Sequence, residues 1–395
     1  MNLQPPWATP ARLALQAQAR AFARDVVLPI ADALDPAKGE MPASLVQAMA
    51  QNGWFGITIP ADQGGLGLGV FEYCLVSEEL GTAWLSVASI LARGQGLGTQ
   101  VLDDSRRADL LTRSARGEWI GCIALSEPAA GSDLAGVQTT ATRDGDDWVL
   151  TGHKRWAGNA LAADFVEVLA RTREPREDEP RSAGLEPFLV VKDRGTFPAG
   201  MTGTPIDKVG YHGFLTWDLL LDGVRVPTGD RLTGLYGDEG AGDDEGGFAS
   251  VQRGLNIARV HTAARAVGLA RAALEDTAAY LQERVQFGQP LAEFQALRFE
   301  LASMAADVTQ ARAFWCQVAH LVDEGVPCEA EAAMVKLQAT EMAVRVTNQA
   351  MQLHGGNGYT TERRVERYWR DARLTTIFEG TSEIQRRIIS DRLLA

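Results

Sequence analysis

The order in which the hydrophobic period changes along this chain limits its fold more than any other feature. In the first third, Leu13, Ala17, Phe22, Val26 and Ile30 recur at helical spacing and predict a helix over 12–33, ended by Pro36. Further helices are predicted over 43–52, closed by Gly53, and over about 70–80 and 85–102, with a glycine-rich loop at 60–69. The middle differs. Short apolar or alternating runs at 148–150, 165–170, 188–191 and 216–221, bounded by turn residues, are strand signals. Asp144–Gly145–Asp146–Asp147 reads as a hairpin turn, and the charged stretch 173–187 as an exposed loop. After an acidic, glycine-rich linker at 234–247, alanine-rich helices are predicted over 248–284, 291–323, 329–353 and 381–394. Helices, then strands, then helices, without βαβ alternation, give an α+β class. A chain of 395 residues is too long for one ordinary core and implies two or three domains.

Charge and motifs exclude several function classes. A net charge of −13 lacks the basic footprint of a nucleic-acid binder, so an anionic ligand needs local arginines. The four cysteines, Cys74, Cys122, Cys316 and Cys328, have no CxxC spacing, which reads as a reduced compartment without disulfides or structural zinc. No apolar run reaches the length of about 18 residues that a membrane span needs. The N-terminus lacks the basic and apolar regions of a signal peptide, so the expected location is cytoplasmic. The chain has no Rossmann GxGxxG, P-loop, HExxH or GxSxG pattern. Its five histidines, His153, His212, His261, His320 and His354, are dispersed and read as structural.

The chemistry concentrates in the run from Leu374 to Gln385. It sets one carboxylate, Glu379, between apolar residues and Gly380, just before a helix that Thr381 caps. A carboxylate held among apolar side chains is a stronger base than one in water, which suits proton abstraction near neutral pH. Together with the run Leu125 to Asp133, this segment resembles the acyl-CoA dehydrogenase family of flavoproteins, and the likeness extends over nearly the whole chain.

The resemblance implies an N-terminal α-helical domain at 1–119, a central β-barrel-like domain at 120–233 and a C-terminal helical bundle at 234–395. It implies FAD as cofactor, with Leu125, Ser126 and Trp156 at the isoalloxazine and Ser132 at the acyl-CoA. The family usually has Thr or Ser where this chain has Gly158, and that hydroxyl reaches flavin N5. Here a backbone N–H or a water must take over. The Trp–x–Gly–Asn pattern is also similar to that of short-chain acyl-CoA oxidases of the same fold. Asn256 and Arg259, three residues apart on one helix face, would hold the coenzyme A portion. Arg284 would reach the FAD pyrophosphate of a neighbouring subunit, with Gln286, Phe287 and Gln295 as further FAD contacts. Gln352 and Gly356 lie in a loop resembling the one that approaches the adenosine half. Thr381 and Glu383 match further FAD contacts at a helix start.

By this resemblance Glu379 takes the α-proton of a thioester while a β-hydride moves to flavin N5, yielding a trans-2-enoyl-CoA. Gly380 leaves room beside the thioester. Arg93, on the helix at the far end of the acyl pocket, pairs with a substrate carboxylate, pairs with a protein carboxylate or faces solvent. Arg370 and Arg373, with Asp371 between them, are expected to form structural ion pairs. The resemblance further implies a homotetramer that passes electrons to an electron-transferring flavoprotein. An oxidase using oxygen is the alternative, and a flavin-binding relative that binds DNA is a third reading, which the acidic charge opposes.

Overall fold

A computed structural model describes residues 7–99, 103–232 and 247–394, with side chains in the last span from residue 254. The N-terminal part is helical: α1 (Pro10–Phe22), α2 (Leu28–Leu34), α3 (Ala43–Gln51), α4 (Val70–Ala83), α5 (Leu85–Leu91) and α6 (Asp104–Ala115). The expected helix over 12–33 is continuous in direction but carries a π turn over Ala23–Val27, just ahead of Pro29, which lacks the N–H that the Asp25 carbonyl would use. The expected helix at 85–102 is corrected. It stops at Leu91, because Gln95, Gly96 and Gly98 take φ of 57°, 74° and 73° and cannot continue a right-handed helix. Residues 100–102 lie outside the described residues. Helix α6 was not foreseen; its N-cap Asp103 accepts from the Arg106 N–H at 2.9 Å.

The middle forms a curled seven-stranded sheet: β1 (Gly121–Ala124), β2 (Thr140–Asp144), β3 (Asp147–Gly158), β4 (Phe165–Arg171), β5 (Leu185–Val191), β6 (Met201–Pro205) and β7 (Thr216–Pro227). The foreseen turn joins β2 to β3, with Asp144 opposite Asp147 and Gly145 at φ 63°. The long pair β3–β7 is antiparallel and slips register between Leu150 and Thr151 and between Lys154 and Ala157, whereas β1 and β4 are parallel. Bulges at these points bend the strand and re-aim its side chains.

The expected linker at 234–247 falls almost wholly outside the described residues. Beyond it lie α7 (Gly247–Glu283), α8 (Gln295–Asp323), α9 (Glu329–His354), α10 (Val365–Thr375) and α11 (Ser382–Leu394). The α+β order is borne out, with helices before and after the sheet. One apolar core runs through both helical parts and includes Trp54, Phe71, Trp84, Val267, Trp315 and Tyr368, while the sheet keeps its own core around Val166, Phe188, Leu219 and Val226. Helices α4 and α7 cross in close contact: a Cβ on Gly268 would lie 2.2 Å from the Glu78 carbonyl oxygen. At the same crossing the buried Glu78 accepts from Arg271 at 2.5 Å, Arg312 at 2.9 Å and the Trp315 indole at 2.9 Å. The packing therefore fixes α7 against α4 and α5, and the site described below opens from that junction towards the sheet.

Candidate active site

After α10 the chain turns sharply. Glu379 has φ 53°, a left-handed conformation that costs a non-glycine residue roughly 1–2 kcal/mol. Its turn is held from below. The Gly380 carbonyl accepts from Lys336 Nζ at 2.7 Å and from Gln385 Nε2 at 2.8 Å, and Gln385 Nε2 also reaches the Glu379 carbonyl at 3.2 Å. Lys336 is fully buried on α9, and burial brings its ammonium down to about 8, with the Glu379 charge opposing the shift. Thr381 caps α11 as foreseen, its hydroxyl accepting from the Ile384 N–H at 3.3 Å.

Glu379 lies on the wall of a cavity of about 920 Å³. Nine of the foreseen residues share that wall: Glu379, Gly380, Thr381, Leu125, Ser126, Ser132, Trp156, Gly158 and Arg93. They come from the turn after α5, the turn after β1, the bulged end of β3 and the loop after α10, so one space gathers segments from all three thirds of the chain. Trp156 sits at the β3 bulge with φ 67° and is 52% exposed, an aromatic face turned out of the sheet. Gly158 is sterically required. A Cβ there would lie 2.4 Å from Phe214 Cε1 and 3.4 Å from an Arg93 guanidinium nitrogen. The phenyl ring fills the place that a threonine or serine side chain would occupy.

Leu255, Ile257 and Ala258 of α7 also line the cavity, and Asn256 and Arg259 stand just off it. Arg259 is buried and donates to Asn256 Oδ1. Burial lowers its pKa and the charge of Glu379 opposes that shift, so the guanidinium lies within electrostatic reach of the candidate base. Glu383 lies in the first turn of α11. Its carboxyl is held below the usual range by its own backbone N–H and the Thr381 hydroxyl. Of the ion pairs foreseen for the 370–373 segment, those of Arg370 form, with Asp35 at 2.5 Å and Glu366 at 2.6 Å, whereas Arg373 meets the Thr376 hydroxyl and Asp371 accepts from the Tyr211 N–H.

The remaining foreseen residues form a second set away from this cavity. Arg284, Gln286, Phe287, Gln295, Gln352 and Gly356 are all exposed. Phe287, at the tip of the small hairpin Val285–Gln286 and Gln289–Pro290, is 94% exposed with φ 52°.

Sequence reasoning missed several wall residues. Arg265, Tyr211, Tyr73, Ser89 and Glu167 face the cavity, and so does His261, which was read as merely structural. Ala258, His261 and Arg265 recur at helical spacing on α7, so a basic stripe within an alanine-rich run was the available signal. Burial, helped by the charges of Arg265 and Arg93, keeps His261 neutral. Burial raises the Glu167 carboxyl to about 7 against the pull of Arg93. The other histidines contact protein groups elsewhere: His153 meets Asp218, His212 meets Asp35, His320 meets Glu324, and His354 stacks on Tyr280. Among the described residues no His, Cys, Asp and Glu group is placed to hold a metal ion, and the four cysteines are buried and unbridged.

Comparison with known proteins places this geometry. The acyl-CoA dehydrogenase N-terminal, middle and C-terminal domains match residues 9–118, 122–224 and 245–394. A probable acyl-CoA dehydrogenase of Bacillus subtilis is 40% identical over 94% of this chain and 95% of its own length. The chain belongs to the acyl-CoA dehydrogenase family. A (2S)-methylsuccinyl-CoA dehydrogenase of Cereibacter sphaeroides is 37% identical over 95% of this chain and 68% of that protein. The butyryl-CoA dehydrogenase of Megasphaera elsdenii superposes with a TM-score of 0.90 at 31% identity over 100% of both chains. The protein is accordingly an FAD-dependent dehydrogenase, and its own residues suit that cofactor. The out-turned Trp156 offers an aromatic face to a flat ring, and the capped N-terminus of α11 next to Thr381 suits an anionic group. No helix among the described residues is long and apolar enough to cross a membrane.

Proposed function

We propose that the protein removes hydrogen from Cα and Cβ of an acyl-CoA thioester to give a trans-2-enoyl-CoA, and that the electrons pass to an electron-transferring flavoprotein. The observation that carries this reading is the carboxylate of Glu379, held on a left-handed turn at the wall of the cavity. FAD, when bound, accepts the β-hydride at its isoalloxazine. Glu379 takes the α-proton onto a carboxylate oxygen, and its backbone N–H donates to the thioester carbonyl, where charge builds as that proton leaves. Gly380 presents no side chain beside the thioester. Arg259 and Asn256 on α7, with Ser132 after β1, bind the coenzyme A portion. Trp156, Leu125 and Ser126 orient the flavin ring, and Thr381 and Glu383 hold the cofactor at the start of α11. The exposed set of Arg284, Gln286, Phe287, Gln295, Gln352 and Gly356 meets the FAD of a neighbouring subunit in a homotetramer, which fits a phenyl ring left 94% exposed.

One observation favours a second reading, direct electron transfer to oxygen. Phe214 leaves no space for a hydroxyl at position 158, so the flavin edge has a different neighbour from the usual one. Both readings are tested by mixing the anaerobic holoenzyme with a panel of saturated acyl-CoAs. Loss of visible flavin absorbance with stoichiometric enoyl-CoA supports dehydrogenation; no loss with any thioester refutes it. Rapid hydrogen peroxide formation on admitting air would identify the oxidase.

A further inference from the structure

Several arginines set into this protein have carboxylate partners, whereas the buried Arg171 donates to backbone carbonyls and the buried Arg259 to Asn256. Arg271 pairs with Glu78 and Glu79, Arg312 with Glu78, and Arg370 with Asp35 and Glu366. Arg265 does not. It is 2% exposed, it lines the cavity, and its two terminal nitrogens donate to the neutral hydroxyls of Ser89 at 2.6 Å and Thr262 at 2.7 Å. Its Nε has no partner. Arg93 lines the same cavity, also with a buried Nε that has no partner, and its guanidinium lies 5.6 Å from the centre of the Phe214 ring. Among the described residues neither arginine makes an ion pair. A third buried polar atom on this wall, His261 Nδ1, is likewise unpartnered.

These groups surround one place. Arg265 and Arg93 both act electrostatically on Tyr73, Tyr211 and His261. Three carboxyl groups share the wall, and one of them, Asp207, is exposed and pairs with Lys38 at 2.8 Å. Glu379 is the base in the reading above. Glu167 is buried, has one unpartnered oxygen and makes no ion pair, so it does not neutralise two guanidiniums. A buried guanidinium without a counter-ion is costly, and a bound carboxylate relieves that cost by accepting two parallel hydrogen bonds. An alkyl chain end in the same place would displace water and strand both cations, so it would be rejected. The site is also close to the reacting carbons: the Arg265 guanidinium lies 5.2 Å from the ring of Phe378, the neighbour of Glu379.

We propose that Arg265 and Arg93 form an anion site at the inner end of the acyl cavity, and that the substrate is the CoA monothioester of a short dicarboxylic acid. The proposal rests on the acyl-CoA reading above, and its test separates the two. Glutaryl-CoA and pentanoyl-CoA have the same chain length and differ at the far end, carboxylate against methyl. In the Glu379→Gln holoenzyme, which cannot turn over, flavin absorbance reports binding of each. The expected result is glutaryl-CoA binding about 100-fold more tightly, a preference that Arg265→Gln cuts to within a few-fold while pentanoyl-CoA still binds and FAD is retained. Arg93→Gln provides the second variant and should also reduce the preference. Equal or weaker binding of glutaryl-CoA overturns the anion site, as does a preference that survives both substitutions. The wild-type enzyme then tests the underlying reading by itself: if neither thioester is dehydrogenated, the reaction assignment falls, while the binding ratio still decides the anion site.

Discussion

Replacing Lys336 with methionine sets two effects of similar size against each other. Taking the Lys336 ammonium from its usual 10.5 to about 8 corresponds to about 3 kcal/mol of unfavourable burial at neutral pH, which Lys336→Met removes. The same change deletes a charge-assisted hydrogen bond of 2.7 Å to the Gly380 carbonyl, worth about 1.5–3 kcal/mol. Global stability should therefore change by no more than about 1.5 kcal/mol. The carbonyl keeps Gln385 as a donor, but the turn loses its stronger tie, and the roughly 1–2 kcal/mol of strain at Glu379 favours relaxation out of the left-handed conformation. A loss of that size lowers the competent population about 5- to 30-fold. Urea unfolding and kcat/KM on the same preparations provide the assay. Stability within about 1.5 kcal/mol of wild type and a fall of about tenfold in kcat/KM are expected. A stability loss above 3 kcal/mol with full activity of the folded fraction would refute this balance. The sign with pH follows from the same shift. The folded pKa lies below the unfolded one, so the burial cost is complete below about pH 8 and fades as pH rises to 10.5; in that window wild type gains stability relative to Lys336→Met.

Other positions give sharper single outcomes. Gly158→Thr should destabilise by about 1–3 kcal/mol, because its Cβ meets the Phe214 ring at 2.4 Å, and in a Phe214→Ala background the same change should cost much less, read by thermal unfolding of the double variant against Phe214→Ala. Glu78→Ala leaves Arg271, Arg312 and the Trp315 indole without their shared acceptor, and should cost about 3–5 kcal/mol by urea denaturation. Asp35 is buried, which alone would raise its carboxyl, but His212 and Arg370 hydrogen bonds hold it at about 2. Its stabilisation, about 2 kcal/mol, is present above pH 3.8 and lost as pH falls towards 2, so Asp35→Asn should flatten stability over that range.

What the chain reveals locally and what only packing reveals can be separated residue by residue. Helices α7 and α9 were legible to within a residue or so, because long alanine-rich runs keep their period where no proline breaks them. Helix α5 was overextended because glycines at 94, 96 and 98 were outweighed by the apolar residues around them. Helix α10 was missed because its arginines mask the period; only in the fold do Arg367 and Arg370 find Asp32 and Asp35. Glu379 stood out from its apolar neighbours and the capped helix after it, yet its left-handed turn depends on Lys336, some forty positions earlier. The fit of Phe214 against Gly158 and the isolation of Arg265 depend on segments brought together by β3, β7, α5 and α7. A charged residue in an alanine-rich helix reads as a solvated face until the partner helix is in place.

The assignment of the base is tested most directly by the rate at which a saturated acyl-CoA bleaches the flavin under anaerobic stopped flow, in wild type and in Glu379→Gln with equal FAD content. Wild type should bleach within the mixing experiment, and Glu379→Gln should be slower by about 100- to 10,000-fold while still binding the thioester. Bleaching of Glu379→Gln at the wild-type rate would show that another group removes the α-proton.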